Sequence, residues 1–182
     1  MLTIKINGGR LWDRRNRKFI YTKDTNLVLE YSLVSISKWE AYYHKPFLSK
    51  DTFTKEEIIY FIKCMTISQN VDPNVYLLIN NEHMNLINAY IKNPMTATWF
   101  SEKKSPSKKN NEQITSELIY YWMVALQIPF KPCEKWNFNR LMTLIRIANI
   151  KSQPPKKYSK RDVMSQNAAL NAARRNKLGT SG

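Results

Sequence analysis

Glycine is nearly missing from the body of this sequence. The four glycines are Gly8, Gly9, Gly179 and Gly182, so residues 10–178 contain none. A loop that wraps phosphate needs glycine where the backbone closes on the oxygens. Neither the P-loop pattern nor the dinucleotide fingerprint can be written across that span, which excludes those two kinds of nucleotide chemistry. Cysteine is scarce as well, with only Cys64 and Cys133, each in an apolar, helix-like stretch. Without a secretory context they are expected as buried free thiols rather than a disulfide. His44 and His83 are the only histidines. The four soft ligands lie far apart and match none of the short paired spacings that zinc sites use, so ordinary structural roles are expected for them and no metal.

Carboxylates are outnumbered, 14 against 29 lysines and arginines. No pair stands out as a general acid and base, and Glu56-Glu57 suits a helix start on electrostatic grounds. Nothing local supports a cysteine nucleophile. The chain therefore reads as non-enzymatic, with no cofactor. Long apolar runs are missing too, since charge interrupts each well before the ~18 residues a membrane helix needs. Met1–Gly9 holds no apolar stretch of signal-peptide length. The expected compartment is the cytoplasm, with no membrane contact.

What is present is an apolar and aromatic body with a strong positive bias. At 182 residues the chain suits one domain with an appendage better than two domains. Apolar residues at 43% and aromatics at 12% argue for a packed core over a disordered polymer. The net charge of +15 is unevenly placed: +6 over residues 1–50, −3 over 51–102, +5 over 103–150 and +7 over 151–182. Basic ends around an acidic middle favour contact with something anionic, whether nucleic acid, an acidic protein surface or a part of the chain's own assembly.

The pattern predicts an α+β fold, mainly α. A small N-terminal antiparallel β-sheet over residues 1–31 precedes a helical bundle over 32–151. A proline linker and basic C-terminal helical tail follow over 152–182. Leu2–Ile6 alternates, Asn7-Gly8-Gly9 is expected to turn the chain, and Arg10-Leu11-Trp12 to return. Phe19–Thr22 and Leu27–Tyr31 are further strand-like runs. Helices are expected around 33–44, with Leu33, Ile36, Trp39 or Glu40, and Tyr43 in line, and from the capping box Thr54–Glu57 onward, burying Ile58, Phe61, Ile62 and Met65. A third follows Asn80 or Asn81 and carries Met84, Ile87, Tyr90 and Ile91, with Pro94 beyond it. A fourth follows Thr115 or Ser116, carries Leu118, Trp122 and Ala125, and ends by Pro129. The last core helix is expected from about Lys135 to Ile150, with Phe138, Leu141, Ile145 and Ala148 in line. Ser101–Asn111 reads as a solvated basic loop, and Ser152–Lys157 as the linker, because a proline pair cannot continue a helix. A second capping box, Ser159–Asp162, opens a helix ending near Arg174-Arg175, with Gly179 past its end.

Two basic regions are the candidate contact sites. The first is the turn bearing Arg14, Arg15, Arg17 and Lys18. The second is the tail, with Lys156, Lys157, Lys160, Arg161, Leu170, Arg174, Arg175 and Lys177. The tail helix has an apolar face of alanine with one leucine, which buries too little area to hold firmly to a domain. It suits docking into a partner's groove, or equally a frayed solubilising tail. Trp39, Tyr42, Tyr43, Tyr120, Tyr121, Trp122, Trp136 and Phe138 sit at helical spacing among aliphatics. They are not interleaved with arginine, so core packing is expected of them over base stacking.

Several stretches resemble a family encoded by long-tailed bacteriophages in the gene neighbourhood that builds the tail. They are Met1–Gly9, Ser37–Glu40, His44–Leu48, Pro94–Phe100, Ile114–Trp122 and Asn167–Arg175. The resemblance implies a tail assembly chaperone that coats the tape-measure protein until tail-tube subunits replace it. It carries no catalytic residues and does not identify which residues touch the tape measure. It places the protein in the host cytoplasm. Self-association, a nucleic-acid-binding role for the basic residues, and a structural place in the tail or neck of the virion are the alternatives.

Overall fold

The computed structural model describes residues 1–13, 16–100, 113–152 and 160–179. The expected loop over 101–111 therefore lies outside the described residues, as do most of the expected linker and the Ser159 cap. The chain divides into two compact units, Met1–Asn149 and Ile150–Gly182. The fold is α+β and mainly helical, with a small antiparallel β region at the N-terminus followed by helices.

Four short strands come first: β1 (Leu2–Ile6), β2 (Arg10–Asp13), β3 (Lys18–Tyr21) and β4 (Thr25–Leu29). The expected β1–β2 hairpin does not form. β1 pairs antiparallel with β4, and β2 with β3. The apolar phases explain the choice. β1 buries Ile4 and Ile6, and β4 buries Leu27 and Leu29, so their pairing makes one continuous buried face. β2 offers no matching aliphatic stripe.

Residues 7–9 link β1 to β2 and residues 22–24 link β3 to β4, so the two ladders keep one register along a single interrupted ribbon. Gly8 and Gly9 sit at the interruption. The Gly9 amide donates to Thr22 Oγ1 (2.9 Å), and the Thr22 amide donates to the Gly9 carbonyl (2.9 Å). A Cβ on Gly8 would lie 2.4 Å from the Thr22 carbonyl oxygen, so only glycine admits this close approach.

The helices are α1 (Leu33–Tyr43), α2 (Lys55–Met65), α3 (Asn81–Lys92), α4 (Ser116–Ala125), α5 (Phe130–Cys133), α6 (Phe138–Ser152) and α7 (Lys160–Leu178). A 3-10 segment at Pro73–Leu78, unforeseen in the sequence, precedes α3. The caps follow local chemistry. Ser32 and Ser35 form a capping box at α1, Thr54 and Glu57 another at α2, and Thr115 caps α4. At α3 the Asn80 side chain accepts from the His83 amide, and His83 Nδ1 accepts from the Asn80 amide. That gives His83 a plain structural role. His44 also acts locally, closing α1 in the left-handed region (φ 53°) with its amide on the Glu40 carbonyl.

α6 begins three residues later than expected because α5 and its turn take up residues 130–136, and it runs on to include Ser152. α7 is longer than expected, reaching Leu178, where Gly179 adopts φ 64°. Every α7 residue with a described side chain is exposed.

The core of the first unit joins the buried faces of β1, β4 and helices α1 to α6. Trp39 is wholly buried, with its indole N–H on the Glu57 carbonyl (3.1 Å), amid the rings of Tyr43, Phe47 and Phe53. Among the expected core aromatics, Phe138 is buried but Tyr42 and Tyr121 are exposed. Tyr42 instead stacks on Tyr60 at 4.1 Å between ring centroids. Cys133 is buried, whereas Cys64 is only partly covered, and both are free thiols.

Candidate functional site

Among the described residues three carboxylates, Glu30, Glu40 and Glu57, are buried, and each is satisfied by hydrogen bonds. Glu40 accepts from the amides of Phe47 (2.8 Å) and Ser116 (2.7 Å), fixing the loop after α1 and the start of α4 to one point. Glu57 serves as more than a helix-start residue. It accepts from Lys45, from Lys50 and from the Thr54 amide. The Lys50 hydrogen bond, followed by that from Thr54, holds its carboxyl down at about 2. Glu30 accepts from the Tyr90 hydroxyl (2.6 Å), and burial followed by this bond pushes that phenol up to about 12. All three are framework groups, since hydrogen bonds already occupy their oxygens. Burial likewise pushes the Cys64 thiol up to about 11, which leaves little thiolate near neutral pH and makes it a poor nucleophile. Among the described residues no three or more His, Cys, Asp and Glu side chains come together as a metal site.

Among the described residues the framework leaves a large apolar recess. Asn139 Nδ2 donates to the carbonyls of Ile91 (2.8 Å) and Asn93 (2.7 Å), tying the end of α3 to α6. The segment leaving α3, Pro94–Phe100, then borders a groove of about 760 Å3 whose other walls are α4 and α6. Trp122 and Leu126 line it from the α4 side, and Met142 and Ile145 from α6. Arg146 lies over the Phe100 ring at 4.0 Å from its centroid, and Trp99 stands 87% exposed at the rim. The α4 stripe expected in the core is displaced: Ser116, Ile119 and Met123 are buried, while Trp122 and Ala125 face the groove. An apolar stripe looks the same in sequence whether another element covers it or leaves it open, so the groove was not legible there.

Of the contact residues expected from charge, the two described in the first unit, Arg17 and Lys18, do not line this groove. Arg17 and Lys18 are exposed at the tip of the β2–β3 hairpin. Arg14 and Arg15 lie outside the described residues, as do Lys156 and Lys157. Lys160 begins α7, with its side chain outside the described set. Arg161, Leu170, Arg174, Arg175 and Lys177 are exposed along α7, with Leu170 at 52%. What charge counting missed is the company Arg17 and Lys18 keep. Trp12, Phe19 and Tyr21 are 52%, 46% and 73% exposed on the same hairpin. The signal was present in β2 and β3 themselves, where each strand opens on a basic residue and aromatics alternate with the aliphatics Leu11 and Ile20.

Comparison with known proteins gives no match to a family model, to a curated protein or to a solved structure. Fold and groove define a small α+β protein with an open apolar recess. No helix among the described residues is long and apolar enough to cross a membrane.

Proposed function

We propose that this chain is a non-enzymatic assembly protein, a bacteriophage tail assembly chaperone that holds the apolar face of a tape-measure helix until tail-tube subunits displace it. The observation carrying this reading is the groove between Pro94–Phe100, α4 and α6. Helix-in-groove recognition uses apolar anchors at i, i+3, i+4 and i+7, and these span about 10 Å at the rise of an α-helix. α6 lines the groove from Met142 to Asn149, a wall of about 10 Å, and the end of α4 faces it with Trp122 and Ala125. Trp122, Leu126 and Met142 supply the apolar surface such anchors need, and Trp99 stands at the rim to cover them. The resemblance of Pro94–Phe100 and Ile114–Trp122 to the phage family falls on two of the three walls. Coating followed by displacement calls for modest, reversible affinity and no cofactor. The reading places the protein in the host cytoplasm during tail assembly.

The test is co-purification of tape-measure segments with the full chain and with Met142→Glu, which sets a charge in the recess. Retention by the parent and loss by the variant, with an unchanged melting temperature, is expected. Equal retention by both, or recovery of the chain in finished virions without any tape-measure complex, overturns it.

A further inference from the structure

The outer half of the β ribbon carries a second surface, independent of the groove. The register sets Arg10 opposite Tyr21 and Trp12 opposite Phe19. Residues opposite each other share a face, so these four side chains form one strip. All four are exposed, while Leu11 and Ile20 on the other face are partly covered. Trp12 and Phe19 lie 4.8 Å apart between centroids, and the Arg10 guanidinium sits 4.6 Å from the Phe19 centroid. Arg17 is exposed at the hairpin tip and Lys23 just beyond Tyr21, while Lys18, exposed opposite Asp13, belongs to the Leu11 and Ile20 face. The nearby carboxylates are engaged: Asp13 accepts from Asn16, and Asp24 accepts from the Gly8 amide and pairs with Lys5 (3.6 Å).

Three large rings left open to water give the fold little in return, and exposed apolar patches of this kind mark contact surfaces. Among occupants, an aliphatic partner would be served as well by leucine or isoleucine, and an acidic protein surface needs no rings. Flat rings in a row, one flanked by a planar guanidinium, with lysine and arginine alongside, meet both demands of an unpaired strand. Bases stack on the rings and on guanidinium planes, and phosphates pair with the cations.

We propose that the Arg10, Trp12, Phe19 and Tyr21 face of β2 and β3 binds single-stranded nucleic acid, with Arg17 as a phosphate contact. A duplex keeps its bases stacked inside and offers this strip only phosphate. The surface therefore discriminates strand state, with little dependence on sequence.

The test uses the full chain and fluorescein-labelled oligo(dT), oligo(U) and a random duplex, each about 20 units long, followed by anisotropy between about 50 and 200 mM salt. Single strands are expected to bind about tenfold or more tighter than duplex, and the two single strands compared with each other show whether DNA or RNA is preferred. Trp12→Ala and Tyr21→Ala should each weaken binding about tenfold, with Trp12→Phe restoring it. Arg17→Ala should flatten the logarithmic salt slope by about 0.7. Melting curves confirm that the variants fold. Binding that survives Trp12→Ala arises from the basic α7 and overturns the proposal. So does equal affinity for duplex, and so does quenching of Trp12 by phosphatidylglycerol vesicles with none by oligonucleotide.

Discussion

The two halves of the β ribbon share a register and have opposite fates. In the inner half, β1 and β4, Ile4, Ile6, Leu27 and Leu29 are no more than 2% exposed. In the outer half, β2 and β3, Trp12, Phe19 and Tyr21 stand in solvent. Pairing geometry cannot explain the difference, because the ladder is the same. What differs is side-chain chemistry: branched aliphatics bind the ribbon to the helices, and rings with cations are held away from them. One half makes the fold, and the other is free to make contacts.

The sharpest way to break that division is to cut equally deep on both sides of it. Leu29→Ala removes a fully buried side chain of β4 and is expected to cost about 2–5 kcal/mol, read from the urea midpoint. A loss under about 1 kcal/mol would mean that the inner ladder is not part of the cooperative core. Second in size is the junction. Gly8→Ala places a methyl group 2.4 Å from the Thr22 carbonyl oxygen, in backbone that has no flexible end to yield. A loss of about 1–3 kcal/mol is expected, with faster amide exchange at Gly9 and Thr22.

How much of this could be read in advance depended on distance along the chain. The cap at Thr54 was legible, and those at Asn80 and Thr115 to within one residue, because donor and acceptor lie three residues apart. The α+β class was legible from a change of apolar period near residue 32. The β1–β4 pairing was not, because Leu2 meets Leu29 only after two other strands have been placed, while Asn7-Gly8-Gly9 offered a nearer and wrong turn. Glu40 was hidden for the same reason, since its partner Ser116 is 76 residues away. The groove escaped because period predicts which side of a helix is apolar, not whether anything covers it. For Arg17 and Lys18 charge was enough to raise the suspicion of a contact, but only the register brings Trp12 beside Phe19.

Acid sharpens the contrast between body and ribbon. Glu57 has its folded value lowered from an ordinary 4.5 to about 2, first by Lys50 and then by the Thr54 amide. A lowered value means that its stabilising effect is present above the ordinary carboxylate range and is lost as pH falls through about 2. The midpoint of unfolding should therefore drop as pH is taken from about 4.5 toward 2, and Glu57→Gln should flatten that dependence. Asp24, lowered first by the Gly8 amide, shifts in the same direction at the junction. Carboxyl titration by NMR reads both groups. An ordinary value at Glu57 would remove its pairing with Lys45 and Lys50 as a support of α2.

The smallest expected effect on stability falls on the outer half. Trp12→Ala deletes a cross-strand ring pair on an open face, a change worth about 0.2–1 kcal/mol. It removes a side chain larger than Leu29 yet should cost several times less, because water already covers half of it. If Trp12→Ala instead costs as much as Leu29→Ala, the outer strands are part of the core and the rings are there to hold the ribbon together. If the cost is small while oligonucleotide binding collapses, the rings have no structural reason to be aromatic. Their chemistry is then explained by what they touch.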